Sequence, residues 1–290
     1  QGLDLLRKTP FGNTFTKEFA MEAIRREELG KRGETDFLAI SFSSPDYIGH
    51  QFGIHSVEVQ DNYLRLDKDI AELISFLEKE LGKTNVLIFL TADHGAAHNP
   101  SYLNASKVPA GHFEHGPPLY SLRELFKNKY GEGQWVSNYS NEQFFFNREL
   151  IKDKGINFQE MQELARQHLL GFPGVANVYT RNDMVSGSFQ QKPASLIQMG
   201  FNQQRSGDIQ LVLEPGWMEY HKQGTTHGTV YTYDTHIPLI WYGWRIKSGS
   251  TAERVNISDI APTLSMMLNI SLPNGATGEP IKVLLEHKSK

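Results

Sequence analysis

The 290-residue sequence contains no cysteine, which excludes disulfides, thiolate zinc sites and cysteine nucleophiles. It also lacks any apolar run of the roughly 18 residues that a membrane span needs. Basic charge is not in surplus, because 29 Lys and Arg stand against 33 Asp and Glu and the net charge is −4. Nucleic-acid binding surfaces are usually basic, so no such surface is expected. Any transition metal must be held by His, Asp or Glu.

The sequence does contain alternating helical and strand patterns, which favour an α/β fold with a mostly parallel sheet flanked by helices. Helices are predicted over 14–33, 59–82 and 258–270, and apolar strands over 35–46, 84–95, 208–217 and 236–243. Residues 116–195 differ, with a hairpin pattern followed by one long helix at 158–172. We therefore expect 1–115 and 196–290 to form a catalytic α/β core and 116–195 to form a small inserted α+β subdomain.

Metal-binding residue types follow two of the predicted buried strands. "SPDYIGH" places Asp46 and His50 four positions apart, and "ADHG" makes Asp93 and His94 adjacent. His227 lies in a loop before a later strand. Because ligands of open α/β sheets gather beyond the carboxyl ends of the strands, we expect these side chains to converge. Imidazole and carboxylate donors suit Zn²⁺ or Mn²⁺ better than Ca²⁺, which prefers oxygen.

Each of these residues has a simpler interpretation when taken alone. An Asp at a strand end is commonly a helix cap, and a single His is commonly half-buried without any ligand. Two Asp and three His at one sheet edge favour a shared role instead. A further acid, Asp234, either orients a liganding histidine or forms a turn, and the sequence leaves both roles open.

Three segments, "SPDYIGHQFG", "NVLIFLTADHG" and "THGTVYTYDTHIPLIWYG", together resemble the alkaline phosphatase superfamily in their order and spacing. Within it the chain looks most like the PafA-type bacterial alkaline phosphatases and next like the nucleotide pyrophosphatase/phosphodiesterases. The resemblance implies that Asp46, His50 and His227 bind one zinc ion. It implies that Asp93 and His94 bind a second zinc ion.

The resemblance also implies parts that residues 1–34 do not match, namely a strand with another Asp ligand and then a Thr or Ser nucleophile. We therefore expect the chain to be the C-terminal portion of a longer hydrolase, with its nucleophile upstream and little activity of its own. The substrate would be a small-molecule phosphate ester, with monoesters favoured. A periplasmic or secreted location is implied, with any signal upstream of residue 1. The oligomeric state is not predicted.

Three alternatives stay open. The chain could belong to a phosphodiesterase or nucleotide pyrophosphatase of the same superfamily. It could belong to a sulfatase or phosphomutase with the same metal centre, and the identity of the upstream nucleophile would decide this. The expected lack of that nucleophile also allows a non-catalytic metal-binding module.

Overall fold

The structure is a computed structural model, and it describes residues 2–286. The chain divides into two compact units. The first unit comprises Gln1–Thr16, Ser41–Asp67 and His94–His236. The second unit comprises Lys17–Ile40, Lys68–Asp93 and Ile237–Lys290.

Helices make up most of the regular structure in the described part of the chain. The α-helices are α1 (Phe11–Arg26), α2 (Ser44–Phe52), α3 (Val57–Leu81), α4 (Pro100–Ala105), α5 (Gly116–Tyr130), α6 (Arg148–Asp153), α7 (Phe158–Leu169), α8 (Arg181–Ser186), α9 (Ala194–Gly200), α10 (Thr232–Thr235), α11 (Ile260–Leu268) and α12 (Lys282–Leu285). Short 3-10 helices occupy Leu3–Lys8, Lys83–Asn85 and Ile257–Asp259.

The strands of the same residues form three small sheets. They are β1 (Leu87–Thr91), β2 (Gly111–His112), β3 (Val136–Ser140), β4 (Gln143–Phe146), β5 (Val175–Thr180), β6 (Ile209–Leu213), β7 (Trp217–Met218) and β8 (Leu239–Gly243). In the second unit β1 pairs antiparallel with β8. In the first unit β2 pairs parallel with β7, and the remaining strands form an antiparallel sheet in the order β3-β4-β6-β5.

The strand predicted over 35–46 is wrong. Residues 35–43 carry no strand, and α2 begins at Ser44. Phe37 and Leu38 in this segment are exposed. An apolar segment becomes a strand only when a neighbouring backbone accepts its hydrogen bonds, and no described strand pairs with this segment. Asp46 and His50 therefore lie on a helix rather than in a loop after a strand.

The core of the first unit lies between its four-stranded sheet and helices α5 and α7, which pack on the sheet and on each other. Its largest fully buried side chains include Leu122, Phe126, Trp135, Phe144 and Met161. Helix α5 was missed by the sequence analysis, which expected one long helix in this segment, at 158–172; the first residues of α5 are Gly116, Pro117 and Pro118. Proline is well tolerated in the first turn of a helix, and α5 begins with these residues.

Strand β6 was assigned by the sequence analysis to the catalytic core outside residues 116–195. In the structure it pairs with β4 and β5, which lie inside that range. The segment 116–195 thus shares its sheet with residues 209–213. The division into a core and an inserted subdomain stays a prediction.

In the second unit, α11 is held to the segment that precedes α12 by side-chain hydrogen bonds. Asp259 Oδ1 accepts the Glu279 N–H at 3.0 Å, and Thr263 Oγ1 accepts the Ile281 N–H at 2.9 Å. Both Asp259 and Thr263 are buried. These bonds give the chain that leads into α12 a defined path along α11.

Candidate metal centre

Helix α2 places Asp46 and His50 on one face, because residues four apart lie one above the other on a helix. The His50 Nε2 atom lies 3.3 Å from Asp46 Oδ1. Pro45 lies in the first turn, where its missing N–H costs no helical hydrogen bond. The local sequence thus builds a carboxylate and imidazole pair on a short, well-defined helix.

Two further histidines of the first unit join this pair. The His227 Nε2 atom lies 3.5 Å from the same Asp46 oxygen. The His94 ring stacks on the His227 ring, with centroids 3.3 Å apart and planes 11° apart. Candidate ligand atoms of Asp46, His94 and His227 all lie within 4.8 Å of one another. We call Asp46, His50, His94 and His227 the Asp46 cluster.

Hydrogen bonds determine which ring nitrogen each of two histidines offers. His50 Nδ1 lies 2.8 Å from the Thr225 carbonyl oxygen, and His94 Nδ1 lies 2.8 Å from the Gly95 carbonyl oxygen. A carbonyl can only accept a hydrogen bond, so both Nδ1 atoms carry the hydrogen. Each Nε2 then presents its lone pair, which is the form that binds a metal.

The surroundings of His227 lower its pKa and thereby favour the neutral ring. Partial burial lowers the pKa of His227 first, and the neighbouring His94 and His50 lower it further, while Asp46 acts in the opposite direction. The imidazolium form would have to lose water and approach another imidazole. A neutral ring retains the lone pair that metal coordination needs.

Asp93, the fifth predicted ligand, belongs to the second unit. It lies two residues after β1, and its side chain is exposed. Within the first unit the cluster of three combines Asp46 and His227 with His94. The sequence analysis instead grouped these two residues with His50 and paired His94 with Asp93, and that assignment of ligands to two ions stays a prediction.

Asp234 connects the loops that carry His94 and His227. Its carboxylate Oδ2 accepts the Thr229 N–H at 2.8 Å, and its backbone carbonyl accepts the Gly95 N–H at 2.7 Å. The residue is only 3% exposed. Asp234 lies within the short helix α10 and holds Gly95 and Thr229, which are close in sequence to His94 and His227. Whether it orients a liganding histidine or serves a turn stays a prediction.

A partly buried polar network in the first unit was missed by the sequence analysis. Glu219 accepts a hydrogen bond from the Tyr139 hydroxyl at 2.6 Å and contacts His115 Nδ1. Burial raises the pKa of Glu142 to about 7, and the charges of Glu219 and Asp234 add to this effect. Nothing in the sequence spacing indicates this network, because its members come from β3, the following turn and two distant loops.

A second histidine pair, also missed, lies outside the Asp46 cluster. His55 Nε2 and His98 Nδ1 are 2.7 Å apart, and the His55 ring stacks on Tyr102 with centroids 4.0 Å apart. Burial lowers the pKa of His98, and the adjacent His55 lowers it further. The stack borders a cleft of about 390 Å³ that Lys222 also lines.

Comparison with known proteins places these features in a family. Residues 4–238 match the model of the Type I phosphodiesterase / nucleotide pyrophosphatase family. A protein of Myroides odoratus described as a calcium-transporting ATPase is 43% identical over 98% of this chain and 53% of its own length. Alkaline phosphatase PafA of Elizabethkingia meningoseptica is 39% identical over 96% of this chain and 51% of its own length.

A crystal structure of wild-type alkaline phosphatase PafA superimposes with a TM-score of 0.89 at 39% identity, covering 96% of this chain and 53% of that protein. The chain thus spans about half the length of the relatives it matches. None of the described helices is long and apolar enough to cross a membrane. The α/β fold expected from the sequence is confirmed as alkaline-phosphatase-like, and the chain belongs to the Type I phosphodiesterase / nucleotide pyrophosphatase family.

Proposed function

We propose that this chain supplies the larger part of a two-zinc centre in a phosphate-ester hydrolase, with phosphomonoesters as the preferred substrates. The observation that carries the proposal is the convergence of Asp46, His94 and His227, whose ligand atoms lie within 4.8 Å of one another. The relatives described as alkaline phosphatases support the choice of substrate class. A zinc ion at such a site would lower the pKa of a bound hydroxyl and offset the negative charge that develops on a transferred phosphoryl group.

The chemistry of the donors fits zinc. The set is one carboxylate and several imidazoles, and zinc binds both kinds of ligand readily. Nε2 of His50 and of His227 lie 3.3 and 3.5 Å from the same Asp46 oxygen, so little movement is needed to turn them toward a common point. The carbonyl groups that accept hydrogen bonds from His50 and His94 match the outer partners that metal-binding histidines usually have.

The residues of the chain have distinct roles in this proposal. Asp46, His50 and His227 would hold one ion, while Asp93 and His94 would contribute to the second. The lone pair of His227 is available because burial and the neighbouring imidazoles lower its pKa. We further propose that the attacking Thr or Ser hydroxyl lies outside residues 1–290, so the phospho-enzyme forms only in a longer protein.

A second candidate is phosphodiester or nucleotide pyrophosphate hydrolysis, which the matched family description favours. The same metal ligands serve both reactions, and the groups that contact the remaining phosphate oxygens decide between them. Comparing p-nitrophenyl phosphate with bis-p-nitrophenyl phosphate in the complete gene product separates the two. A higher kcat/KM for the diester would overturn the monoester assignment. A periplasmic or secreted location is part of the proposal and is tested by cell fractionation.

Zinc binding to the 290-residue chain tests the metal centre directly. Calorimetry should detect one tighter and one weaker binding event, with the tighter event lost in His227→Ala. His236→Ala is the matched control, because His236 lies outside the Asp46 cluster and is exposed. An equal loss of zinc affinity in both variants, or no zinc binding by the unmodified chain, would refute the proposed centre.

Turnover by the same chain tests where the nucleophile lies. Zinc-loaded chain should hydrolyse p-nitrophenyl phosphate far more slowly than the complete gene product, because metal-bound water without a positioned substrate reacts poorly. Enzyme-like turnover that Asp93→Ala abolishes would mean that the attacking group lies within these 290 residues.

A further inference from the structure

Thr225 lies where the three ligand-bearing segments of the first unit meet. Its backbone N–H donates to the Gly49 carbonyl at 3.2 Å, and its own carbonyl accepts from His50 Nδ1 at 2.8 Å. Its hydroxyl donates to the Ala97 carbonyl. The residue is 2% exposed. One buried residue therefore contacts the segment of His50 and the segment of His94, and it lies two positions before His227.

The carbonyl of Thr225 sets the tautomer of His50. Because the hydrogen resides on Nδ1, the Nε2 lone pair points toward Asp46 Oδ1, 3.3 Å away. In a free neutral histidine side chain the hydrogen prefers Nε2. Any displacement of the Thr225 carbonyl would therefore allow His50 to return to the tautomer that cannot bind a metal through Nε2.

The hydroxyl of Thr225 holds that carbonyl in place. It bonds to Ala97, three residues after His94, and the Ala97 N–H donates back to the Thr226 carbonyl at 3.2 Å. The two bonds join the chain on both sides of Ala97 to the segment that continues into His227. Without the hydroxyl, the buried Ala97 carbonyl would lose this donor, at a cost of about 1–3 kcal/mol.

Close backbone packing leaves this segment little room to move in any other way. A Cβ on Gly224 would lie 1.9 Å from the His50 carbonyl oxygen, and the φ of Gly224 is +83°. Only glycine adopts this conformation without strain and permits this approach. The position of Thr225 relative to His50 is thus defined by Gly224 on one side and by the Ala97 hydrogen bond on the other.

We propose that Thr225 is a positioning residue for the Asp46 cluster. It sets the His50 tautomer and holds the segments of His50, His94 and His227 in fixed positions relative to one another. It does not contact substrate or metal itself. The inference rests on the proposed metal centre and predicts that affinity for zinc depends on a hydroxyl that is not a ligand.

The test compares Thr225→Val, which replaces the hydroxyl with a methyl group of similar size, with Thr225→Ser, which restores it. Thr180→Val is the matched control, since Thr180 is also 2% exposed in the first unit and its hydroxyl oxygen accepts a hydrogen bond from the Asp183 N–H at 3.1 Å. Outer hydrogen-bond partners of metal ligands typically contribute about 10–100-fold in affinity. We expect Thr225→Val to weaken zinc binding by this factor, Thr225→Ser by less than about threefold, and Thr180→Val not at all.

Two spectroscopic measurements complete the test. The intensity of the cobalt(II) absorption should differ from wild type in Thr225→Val and should match wild type in Thr225→Ser. In the metal-free chain, ¹⁵N NMR should find the His50 hydrogen on Nδ1 in the wild type and in Thr225→Ser. In Thr225→Val it should find a mixture of the Nδ1–H and Nε2–H tautomers. The wild-type spectrum alone tests whether the Thr225 carbonyl sets the His50 tautomer, and it depends neither on metal binding nor on Thr225→Val remaining folded.

The outcomes are separable. A wild-type chain that binds neither zinc nor cobalt overturns the proposed metal centre, whereas the NMR result alone then decides the role of Thr225. A wild-type His50 with its hydrogen on Nε2 overturns the positioning role. The positioning role is also overturned if the zinc affinity of Thr225→Val is within threefold of wild type, or if Thr180→Val loses as much zinc affinity as Thr225→Val.

Discussion

Glu142→Gln should stabilise the chain at alkaline pH and leave its stability unchanged in acid. Glu142 lies with Asn141 in the two-residue turn between β3 and β4, and both residues have positive φ, which fits a tight hairpin turn. Its carbonyl accepts the Leu211 N–H at 2.8 Å, so the backbone beneath the side chain is fixed. Burial, followed by the charges of Glu219 and Asp234, raises the pKa of this carboxyl to about 7.

The magnitude follows from that pKa. The raised pKa means that folding disfavours the charged form, so the stability contribution of Glu142 is full below its ordinary value of 4.5 and is lost as the pH rises toward about 7. The difference of about 2.5 pH units corresponds to about 3 kcal/mol at 1.36 kcal/mol per unit. Because the side chain is only partly buried, solvent reduces this effect, and we expect a gain of about 2 kcal/mol for the neutral amide at pH 8.

Urea unfolding at pH 4.5 and pH 8, followed by tryptophan fluorescence, provides the assay, since Trp135 lies in the core of the same unit. Glu132→Gln serves as the control at an exposed site, where the change should stay within about 0.5 kcal/mol at both pH values. A gain for Glu142→Gln that is equal at both pH values would refute the electrostatic explanation. A loss of stability at pH 8 would show that the carboxylate is favourably solvated.

Other substitutions test the packing around the site and in the core. Gly95→Ala should destabilise the chain by about 1–3 kcal/mol and weaken zinc binding, because a Cβ there would lie 2.1 Å from the Tyr233 carbonyl oxygen. Gly116→Ala, whose Cβ would meet no atom within 4 Å, should be neutral or stabilising by thermal unfolding. Phe126→Ala should cost about 3–5 kcal/mol in urea unfolding, since the ring is fully buried in the core of the first unit; a cost below about 1 kcal/mol would contradict that packing.

The candidate ligands could be predicted because their signals are local. Asp46 and His50 are four residues apart, and each histidine has a glycine beside or near it, so the sequence alone indicates the residue types. What holds them together is not local. Thr225 and Asp234 act mainly through backbone groups and through partners 128 to 176 positions away in the chain, and no spacing rule identifies such contacts.

Strand prediction succeeded where both partners are present. Residues 87–91 and 239–243 are apolar, and the two segments form the backbone hydrogen bonds of one antiparallel strand pair. Residues 37–40 are also apolar but have no partner among the described strands. The composition of a segment indicates how well it would fit a buried sheet. Whether it becomes a strand depends on which other segments lie beside it in the fold, and a single sequence does not show this.

Helix α1 has the opposite burial from the one that hydrophobicity predicts, and this gives the last test. Phe11, Phe15 and Phe19 recur every four residues along α1, and Phe19 is 72% exposed. Lys17 on the same helix is 3% exposed, and its ammonium lies 3.1 Å from Asp69 and 2.5 Å from Glu72. Burial opposes the charge of Lys17, but the two carboxylates outweigh it and raise its pKa.

The polar side chain is therefore the one whose loss should matter in the 290-residue chain. Lys17→Met deprives the buried Asp69 of its ammonium partner and should cost about 3 kcal/mol, whereas Phe19→Gln should change stability by less than about 0.5 kcal/mol. Because the folded pKa of Lys17 is raised, its contribution should persist below pH 10.5 and disappear as the pH rises further. Urea unfolding of both variants at pH 8 decides the matter: a larger loss for Phe19→Gln would mean that α1 buries its aromatic face in solution.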